Sequence, residues 1–206
     1  MARPKTPDME QRILDAAAQI FARKGYKASL ISDISDVAGV GKGTIYQYFS
    51  SKQDLFYAVF EWLVNQSSLD TAQAIREFKG GTAATRLKQI THLVISSWLE
   101  MLDFYTLVFE FWSAAASSAR SDEFKTIFRD SYRRFREIVS AELRAGIRDG
   151  LFSEKVDAEA IAAAVVGTWD ALLLQRWFDS TFDPLTVGDH FIDILLKGLE
   201  SNANKK

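Results

Sequence analysis

Proline is nearly absent from this chain, and its distribution constrains the fold more than any other sequence feature. The three prolines are Pro4, Pro7 and Pro184, so residues 8 to 183 contain none. Proline breaks helices and interrupts central strands, so a proline-free run of this length allows long helices. Apolar residues recur at spacings of three and four, and no run alternates as a half-buried strand does. The sequence therefore predicts an all-α protein of about nine helices.

Composition excludes several kinds of site. The 206 residues include no cysteine, and the two histidines are His92 and His190. A disulfide framework, a thiolate metal site, a cysteine nucleophile and a histidine-rich metal site are thereby excluded. No paired or ordered catalytic set stands out either. We expect no enzyme activity, no metal and no cofactor, and we expect His92 to be a surface or hydrogen-bonded helix residue.

The chain is expected to be a cytoplasmic protein rather than a secreted or membrane protein. Its first ten residues are polar and lack the apolar core of a secretory signal. Its longest apolar stretches, near residues 102–116 and 161–174, are interrupted by acidic residues. The absence of cysteine suits a reducing compartment.

Caps and glycines divide the N-terminal part into three helices. Pro7 suits the first turn of the first helix, which Gly25 is expected to end. Ser29 is predicted to cap the second helix, which stops at Gly39. A short third helix is expected over residues 42–49.

A long fourth helix is predicted to follow a capping box. Ser50 or Ser51 precedes it, with Gln53 and Asp54 three residues further on, and it runs to about Lys79. The caps and periodicity place the remaining helices at roughly 83–101, 104–118, 121–148, 157–179 and 184–200.

Residues 29–49 have the layout of a helix-turn-helix, whose second helix can enter a DNA major groove. Ile45 and Phe49 lie four residues apart and can anchor the short helix to its neighbours. Cationic, hydroxyl, amide and aromatic groups, which suit contacts to phosphates and base edges, are then left facing outward. These outward residues are Lys42, Gly43, Thr44, Tyr46, Gln47 and Tyr48.

The charge distribution favours the same function. Residues 1–52 hold eight Lys and Arg against five Asp and Glu, a formal charge of +3. The remainder holds 17 against 22, a formal charge of −5. A basic head on an acidic body suits contact with phosphate, although chance could also produce this difference.

The N-terminal part resembles the TetR/AcrR family of repressors. The similarity lies in residues 38–55, with the segments 21–26 and 33–38 upstream in the same order and spacing. It covers about the first 60 residues. One departure is Gly41, where the family usually has Ser or Thr, so a helix cap and a phosphate contact are lost there.

The resemblance implies a division of the chain and of its functions. Residues 1–52 would form the DNA-binding head, and residues 53–206 an effector-binding and dimerisation domain. Arg3 and Lys5 would form a basic arm. Phosphates would be held by Ser29, Tyr46, Tyr48 and Lys52. The groove would be faced by Lys42, Gly43, Thr44 and Gln47.

The C-terminal part is rich in aromatic residues, which either fill a helical core or line an effector pocket. With the resemblance, we expect a pocket for a small apolar or aromatic molecule. If residues 98–112 form one helix, Glu110 lies on its polar, solvent-facing stripe, whereas a break near Asp103 removes that conclusion. The residues chosen for the pocket are Trp98, Phe109, Trp112, Phe128 and Trp169.

The last two helices are predicted to form a homodimer interface. Ala163, Gly167 and Ala171 place small residues four apart, and the final helix, with Phe191 and Leu195, is apolar around much of its circumference. In the family these helices form a four-helix bundle, and a two-fold dimer predicts a near-palindromic operator. We expect a repressor that its effector releases from double-stranded DNA. The alternative is a helical small-molecule carrier or interaction module without DNA function.

Overall fold

The computed structural model describes residues 6–78 and 80–201, except for the side chains of Ser67 and Ser68. Within these ranges the chain forms nine α-helices and no strand, with one short 3-10 turn at Leu102–Phe104. The predicted all-α fold of about nine helices is confirmed. The predicted arm of Arg3 and Lys5 lies outside the described residues. The helices are α1 (Pro7–Ala28), α2 (Ile31–Ala38), α3 (Lys42–Tyr48), α4 (Lys52–Arg76), α5 (Ala83–Glu100), α6 (Tyr105–Ser117), α7 (Ser121–Arg148), α8 (Ala158–Phe178) and α9 (Pro184–Leu199).

Helix α1 does not end at Gly25 but is kinked there. Pro7 occupies its first turn, and Thr6 accepts a hydrogen bond from the Met9 amide. Gly25 has φ 74° and ψ 160°, a conformation that essentially only glycine adopts. One further turn follows the kink and ends at Ala28.

The prediction that Ser29 caps α2 is wrong. Leu30 is the N-cap, and its amide donates to the Asp33 carboxylate at 3.2 Å. Ser29 is fully buried, and its hydroxyl donates to the Gly25 carbonyl at 2.6 Å. Its hydroxyl therefore satisfies an acceptor at the kinked end of α1 instead of a donor at the start of α2.

The described chain divides into two compact units. The first contains the residues up to Gln66 together with Asp103–Ile127, and the second contains the residues from Ser67 to Leu102 and from Phe128 onward. The division into functional domains at residue 52 stays a prediction.

An aromatic cluster forms the core of the first unit. Phe56 and Phe60 of α4 pack on Phe111 of α6, with ring centroids 4.9 and 4.6 Å apart. Phe60 stacks on Phe124 at 5.1 Å, and Phe21 of α1 meets Phe56 edge-on at 5.3 Å. These contacts attach α6 and the start of α7 to the N-terminal helices.

The core of the second unit lies among α5, α7, α8 and α9. By length and composition alone α8 could span a membrane, but its buried Val165, Trp169 and Leu172 make it a core helix here. Helices α5 and α9 approach closely at Gly188. A Cβ there would lie 2.4 Å from the Cδ1 atom of Ile95, so a larger residue would require the Ile95 side chain to move.

Candidate nucleic-acid interface

The α2–turn–α3 segment is held from inside by apolar side chains. Ile34, Ile45 and Phe49 are buried, so the predicted anchoring of α3 through Ile45 and Phe49 is confirmed. Gly39 makes the turn with φ 63°, a left-handed conformation that glycine adopts without strain. Arg12 of α1 donates to the free Ala38 carbonyl at the end of α2, at 2.7 Å.

The opposite side of α3 presents polar groups to solvent. Lys42, Gly43, Tyr46 and Gln47 are exposed, and Thr44 is half-buried. A Cβ at Gly43 would meet nothing within 4 Å, so packing does not require glycine there. This surface combines a cation, an amide and hydroxyls, which are the groups that contact phosphates and base edges.

The first turn of α3 lacks a side-chain cap. Gly41 is the N-cap, and no side-chain hydrogen bond satisfies the amides that follow. This agrees with the expectation that glycine at position 41 removes a helix cap.

Tyr48 connects the end of α3 to the start of α1. Its hydroxyl accepts a hydrogen bond from the Thr6 amide at 2.8 Å, and its ring is half-buried. The hydroxyl therefore lies where the chain enters the first helix.

Lys52 lies inside the joint between α1 and α4. Its ammonium donates to the carbonyls of Tyr26 at 2.7 Å, Ser29 at 2.9 Å and Lys27 at 3.3 Å. It also lies 4.6 Å from the centre of the Tyr26 ring, whose burial raises the pKa of that phenol. The three acceptor carbonyls lie in the last turn of α1 or directly after it, a contact that periodicity did not reveal.

The predicted capping box at the start of α4 forms only in part, because the carboxylate of Asp54 accepts from the amide of Ser50 and not from that of the N-cap residue Ser51. Ser51 accepts from the Asp54 amide at 3.0 Å, and Asp54 accepts from the Ser50 amide at 3.0 Å. The carboxylate of Asp54 has a second partner that the sequence did not indicate, because Arg120 lies 66 residues further along the chain. Arg120 Nη1 lies 3.3 Å from Asp54 Oδ1.

Arg120 is held in the turn before α7 by two further groups. Its guanidinium lies 3.7 Å from the centre of the Tyr57 ring and forms an ion pair with Glu123 at 2.5 Å. The hydrogen bond to Glu123 raises the pKa of Arg120 and lowers that of Glu123. Arg120 thus remains charged and contacts α4 and α7 together.

Glu110 is not the solvent-facing residue of a continuous helix. The 3-10 turn at Leu102–Phe104 separates α5 from α6, so the condition for that expectation is not met. Glu110 is half-buried, and its Oε1 would lie 3.1 Å from a Cβ at Gly25. The carboxylate therefore packs against the kink of α1.

The residues chosen for an effector pocket are distributed over both units. Trp98, Phe128 and Trp169 belong to the second unit, and Phe109 and Trp112 to the first. Trp169 is fully buried in the core, and Phe109 meets Trp112 edge-on at 5.8 Å. Neither unit alone brings the five residues together, and the pocket stays a prediction.

A surface groove of about 570 Å³ in the second unit contains none of those five residues. Its walls carry two pairs between α5 and α9: His92 Nδ1 lies 3.2 Å from Asp189, and Lys88 lies 2.5 Å from Asp193. His92 is therefore the exposed, hydrogen-bonded helix residue that the sequence predicted.

The residues predicted for a dimer interface include an exposed stripe. Ala163, Gly167 and Ala171 lie exposed on α8, and Phe178, on the same helical face, is 72% exposed. On α9, Phe191 and Leu195 are half-buried, and Ile194 is 72% exposed. Large apolar side chains are thus left uncovered on both helices within a single chain.

Comparison with known proteins connects these features to a family. The model of bacterial regulatory proteins of the tetR family matches residues 13–59, which contain α2 and α3. The model of the C-terminal part of BetI-type transcriptional repressors matches residues 83–197, more than half of the chain.

Similar proteins match along nearly the whole chain. The HTH-type transcriptional repressor KstR2 of Rhodococcus jostii is 28% identical over 93% of this chain and 91% of its own. The fatty acid metabolism regulator protein of Bacillus subtilis is 27% identical over 97% and 99%. The crystal structure of the regulator FadR from Bacillus subtilis in complex with stearoyl-CoA superposes with a TM-score of 0.71, at 24% identity, over 92% and 99%. The chain therefore belongs to the tetR family of bacterial regulatory proteins and is a ligand-responsive, DNA-binding transcriptional regulator.

Proposed function

We propose that α3 lies in the major groove of DNA and that its exposed face makes the contacts. The proposal rests on one observation: Ile45 and Phe49 are buried, while the polar side of the same short helix is open to solvent. Lys42, Gly43, Thr44 and Gln47 face the groove, and Tyr46 and Tyr48 contact phosphates. Ser29 and Lys52 support this surface from inside the head, and a direct phosphate contact by either would require its present hydrogen bonds to open.

Selection of bound duplexes from a random pool tests this proposal. We expect one near-palindromic operator, bound far more tightly than random duplex and weakened by salt. Lys42→Ala and Tyr46→Ala should each weaken operator binding about tenfold or more without loss of folding. Lys155→Ala, which removes an exposed cation from the loop before α8, is the matched control. A folded protein with no enriched sequence would favour the carrier or interaction-module alternative.

We propose further that two copies associate through α8 and α9. The exposed stripe of Ala163, Gly167 and Ala171 supports this, because small residues allow two helices to approach closely. A Cβ at Gly167 would meet nothing within 4 Å, so Gly167→Arg fits the single chain but obstructs a copy packed against this face. Sedimentation should then show a folded monomer, whereas Ala141→Arg on the exposed side of α7 should leave the dimer intact.

We propose that the regulator is a cytoplasmic repressor, released from its operator by a small molecule with an apolar or aromatic body. Two similar proteins support this proposal. KstR2 is a transcriptional repressor, and FadR binds stearoyl-CoA in its crystal structure. A screen for compounds that release the selected duplex tests it. If every active compound instead strengthened DNA binding, the proposal that the effector releases the regulator from its operator would be wrong.

A further inference from the structure

An arginine of α1 reaches across to the turn between α2 and α3. Arg12 Nη2 donates to the Ala38 carbonyl at 2.7 Å, and it would lie 3.4 Å from a Cβ at Gly39. Arg12 is exposed, and Asp8 and Asp15 lie one turn away from it along α1. Among the described residues its guanidinium pairs with neither carboxylate and bonds to this carbonyl instead.

The turn that Arg12 contacts has few other groups to fix it. It contains Gly39 and Gly41, and glycine gives a backbone more conformational freedom than any other residue. The amides of Gly39 and Val40 bond back to the last turn of α2, and the Gly41 carbonyl accepts from α3. Within the part of the chain that the structure describes, Arg12 makes the one side-chain hydrogen bond to residues 38–41.

Helix α1 thus holds α3 near both of its ends. At the N-terminal end Arg12 bonds to the last carbonyl of α2, and at the C-terminal end the Tyr48 hydroxyl accepts from the Thr6 amide at 2.8 Å. Helix α3 has seven residues and no side-chain cap at its start, and a helix this short is not stable by itself. Its position in the head therefore depends on these two contacts and on the buried Ile45 and Phe49.

We infer that Arg12 is a positioning residue for operator recognition, which fixes the turn before α3 and thereby the angle at which α3 meets the base edges. Without this hydrogen bond the glycine turn occupies several conformations, and only a fraction of the heads present α3 correctly. Operator affinity falls by that fraction. Binding of random duplex depends on charge at the phosphates and is retained. The inference rests on the proposed function, because α3 is the helix that Arg12 positions.

Two other interpretations apply to an exposed arginine in a DNA-binding head. If Arg12 contacts a phosphate directly, its loss weakens the binding of operator and random duplex alike and reduces the salt slope by about one. If its hydrogen bond contributes only to folding, its loss lowers the melting temperature and leaves DNA binding by the folded protein unchanged. The ratio of operator affinity to random-duplex affinity distinguishes both interpretations from a positioning role.

Fluorescence anisotropy with the full-length chain measures this ratio on the selected operator and on a random duplex of equal length, at several salt concentrations. Arg12→Met removes the donor and the charge. Arg23→Met is the matched control, because it removes the same charge from an exposed position of α1 where the guanidinium bonds to Gln19 of its own helix. We expect the operator-to-random ratio of Arg12→Met to be about tenfold or more below that of Arg23→Met, with equal random-duplex binding and equal salt slopes.

Two results overturn the inference. One is an unchanged ratio in Arg12→Met that thermal unfolding shows to be folded, and the other is an equal loss for both duplexes with a reduced salt slope. If Arg12→Met does not fold, Arg12→Lys decides by the same ratio, since it keeps the charge but replaces the planar guanidinium with a shorter ammonium group. We then expect a ratio lower by about threefold or more, with the random-duplex binding of the unmodified chain. A ratio equal to that of the unmodified chain contradicts the inference.

The variants on α3 distinguish this inference from the proposed function. If no duplex is enriched, or if Lys42→Ala and Tyr46→Ala bind the operator as tightly as the unmodified chain, α3 does not read DNA and the proposed function fails. If those two variants weaken operator binding and Arg12→Met keeps its ratio, the proposed function stands and this inference alone fails. If all three weaken operator binding and Arg12→Met retains random-duplex binding, both stand.

Discussion

The two carboxylate oxygens of Asp54 contact different segments of the first unit, Ser50 before α4 and Arg120 before α7. Oδ2 accepts from the amide and hydroxyl of Ser50, two residues after the end of α3, and Oδ1 forms an ion pair with Arg120 in the turn before α7. The cap of α4 is therefore also the point where the α6–α7 turn is attached.

Arg120→Gln should loosen this attachment. The variant loses an ion pair that is only partly shielded from solvent and the contact of the guanidinium with the Tyr57 ring. We expect a loss of about 1 kcal/mol in the free energy of unfolding. Urea denaturation measures it, and Arg133→Gln, whose ion pairs on α7 are more exposed, is the control with little change. Equal losses in the two variants would show that the Asp54 contact contributes nothing specific.

Lys52→Met should act on stability rather than on phosphate contact. Removal of the ammonium leaves three carbonyls at the end of α1 without their donor, and we expect a loss of about 1–2 kcal/mol in unfolding free energy. The salt dependence of operator binding should keep its slope, because no phosphate contact is lost. A slope smaller by about one unit would instead establish Lys52 as a phosphate contact.

Periodicity and caps predicted the number and order of the helices, but not the kink at Gly25 or the hydrogen-bond partners of the residues at helix ends. The burial of Ile45 and Phe49 follows from spacing within one helix, so the sequence predicted it. Ser29 has a hydroxyl within reach of two helix ends, and only the packed backbone decides that it bonds to Gly25. The pairing of Asp54 with Arg120 depends on tertiary approach, which local pattern does not encode.

Gly25→Ala should destabilise the protein more than a glycine substitution in open space. Gly25 combines φ 74° with a Cβ position 3.1 Å from Glu110 Oε1. Gly150 also has a positive φ of 71°, and a Cβ there would meet nothing within 4 Å, so Gly150→Ala adds strain from the positive φ without a close contact. We expect losses of about 2–3 kcal/mol and about 1 kcal/mol, respectively, in unfolding free energy. Equal melting temperatures for the two variants would show that the Glu110 side chain moves away from the new methyl group without loss of stability.

Asp170→Asn should alter how stability depends on pH. Burial places the pKa of Asp170 above its unfolded value, so the folded state holds this proton more tightly. The stabilisation from the protonated form is complete below the unfolded pKa and is lost as pH rises through the folded pKa. Asparagine cannot titrate, so the variant should gain stability over the unmodified chain as pH rises above about 4, by about 1.4 kcal/mol for each pKa unit of the shift.

Parallel denaturation series at several pH values test this expectation. The carboxylates whose pKa values are lowered, such as Asp183 and Asp193, favour the opposite slope. They are present in both proteins, so their effect cancels in the difference between the two curves. A constant difference from acid to neutral pH would mean that Asp170 titrates alike in the folded and unfolded states. A difference that widens as pH rises would show that the folded state binds the Asp170 proton more tightly than the unfolded state does.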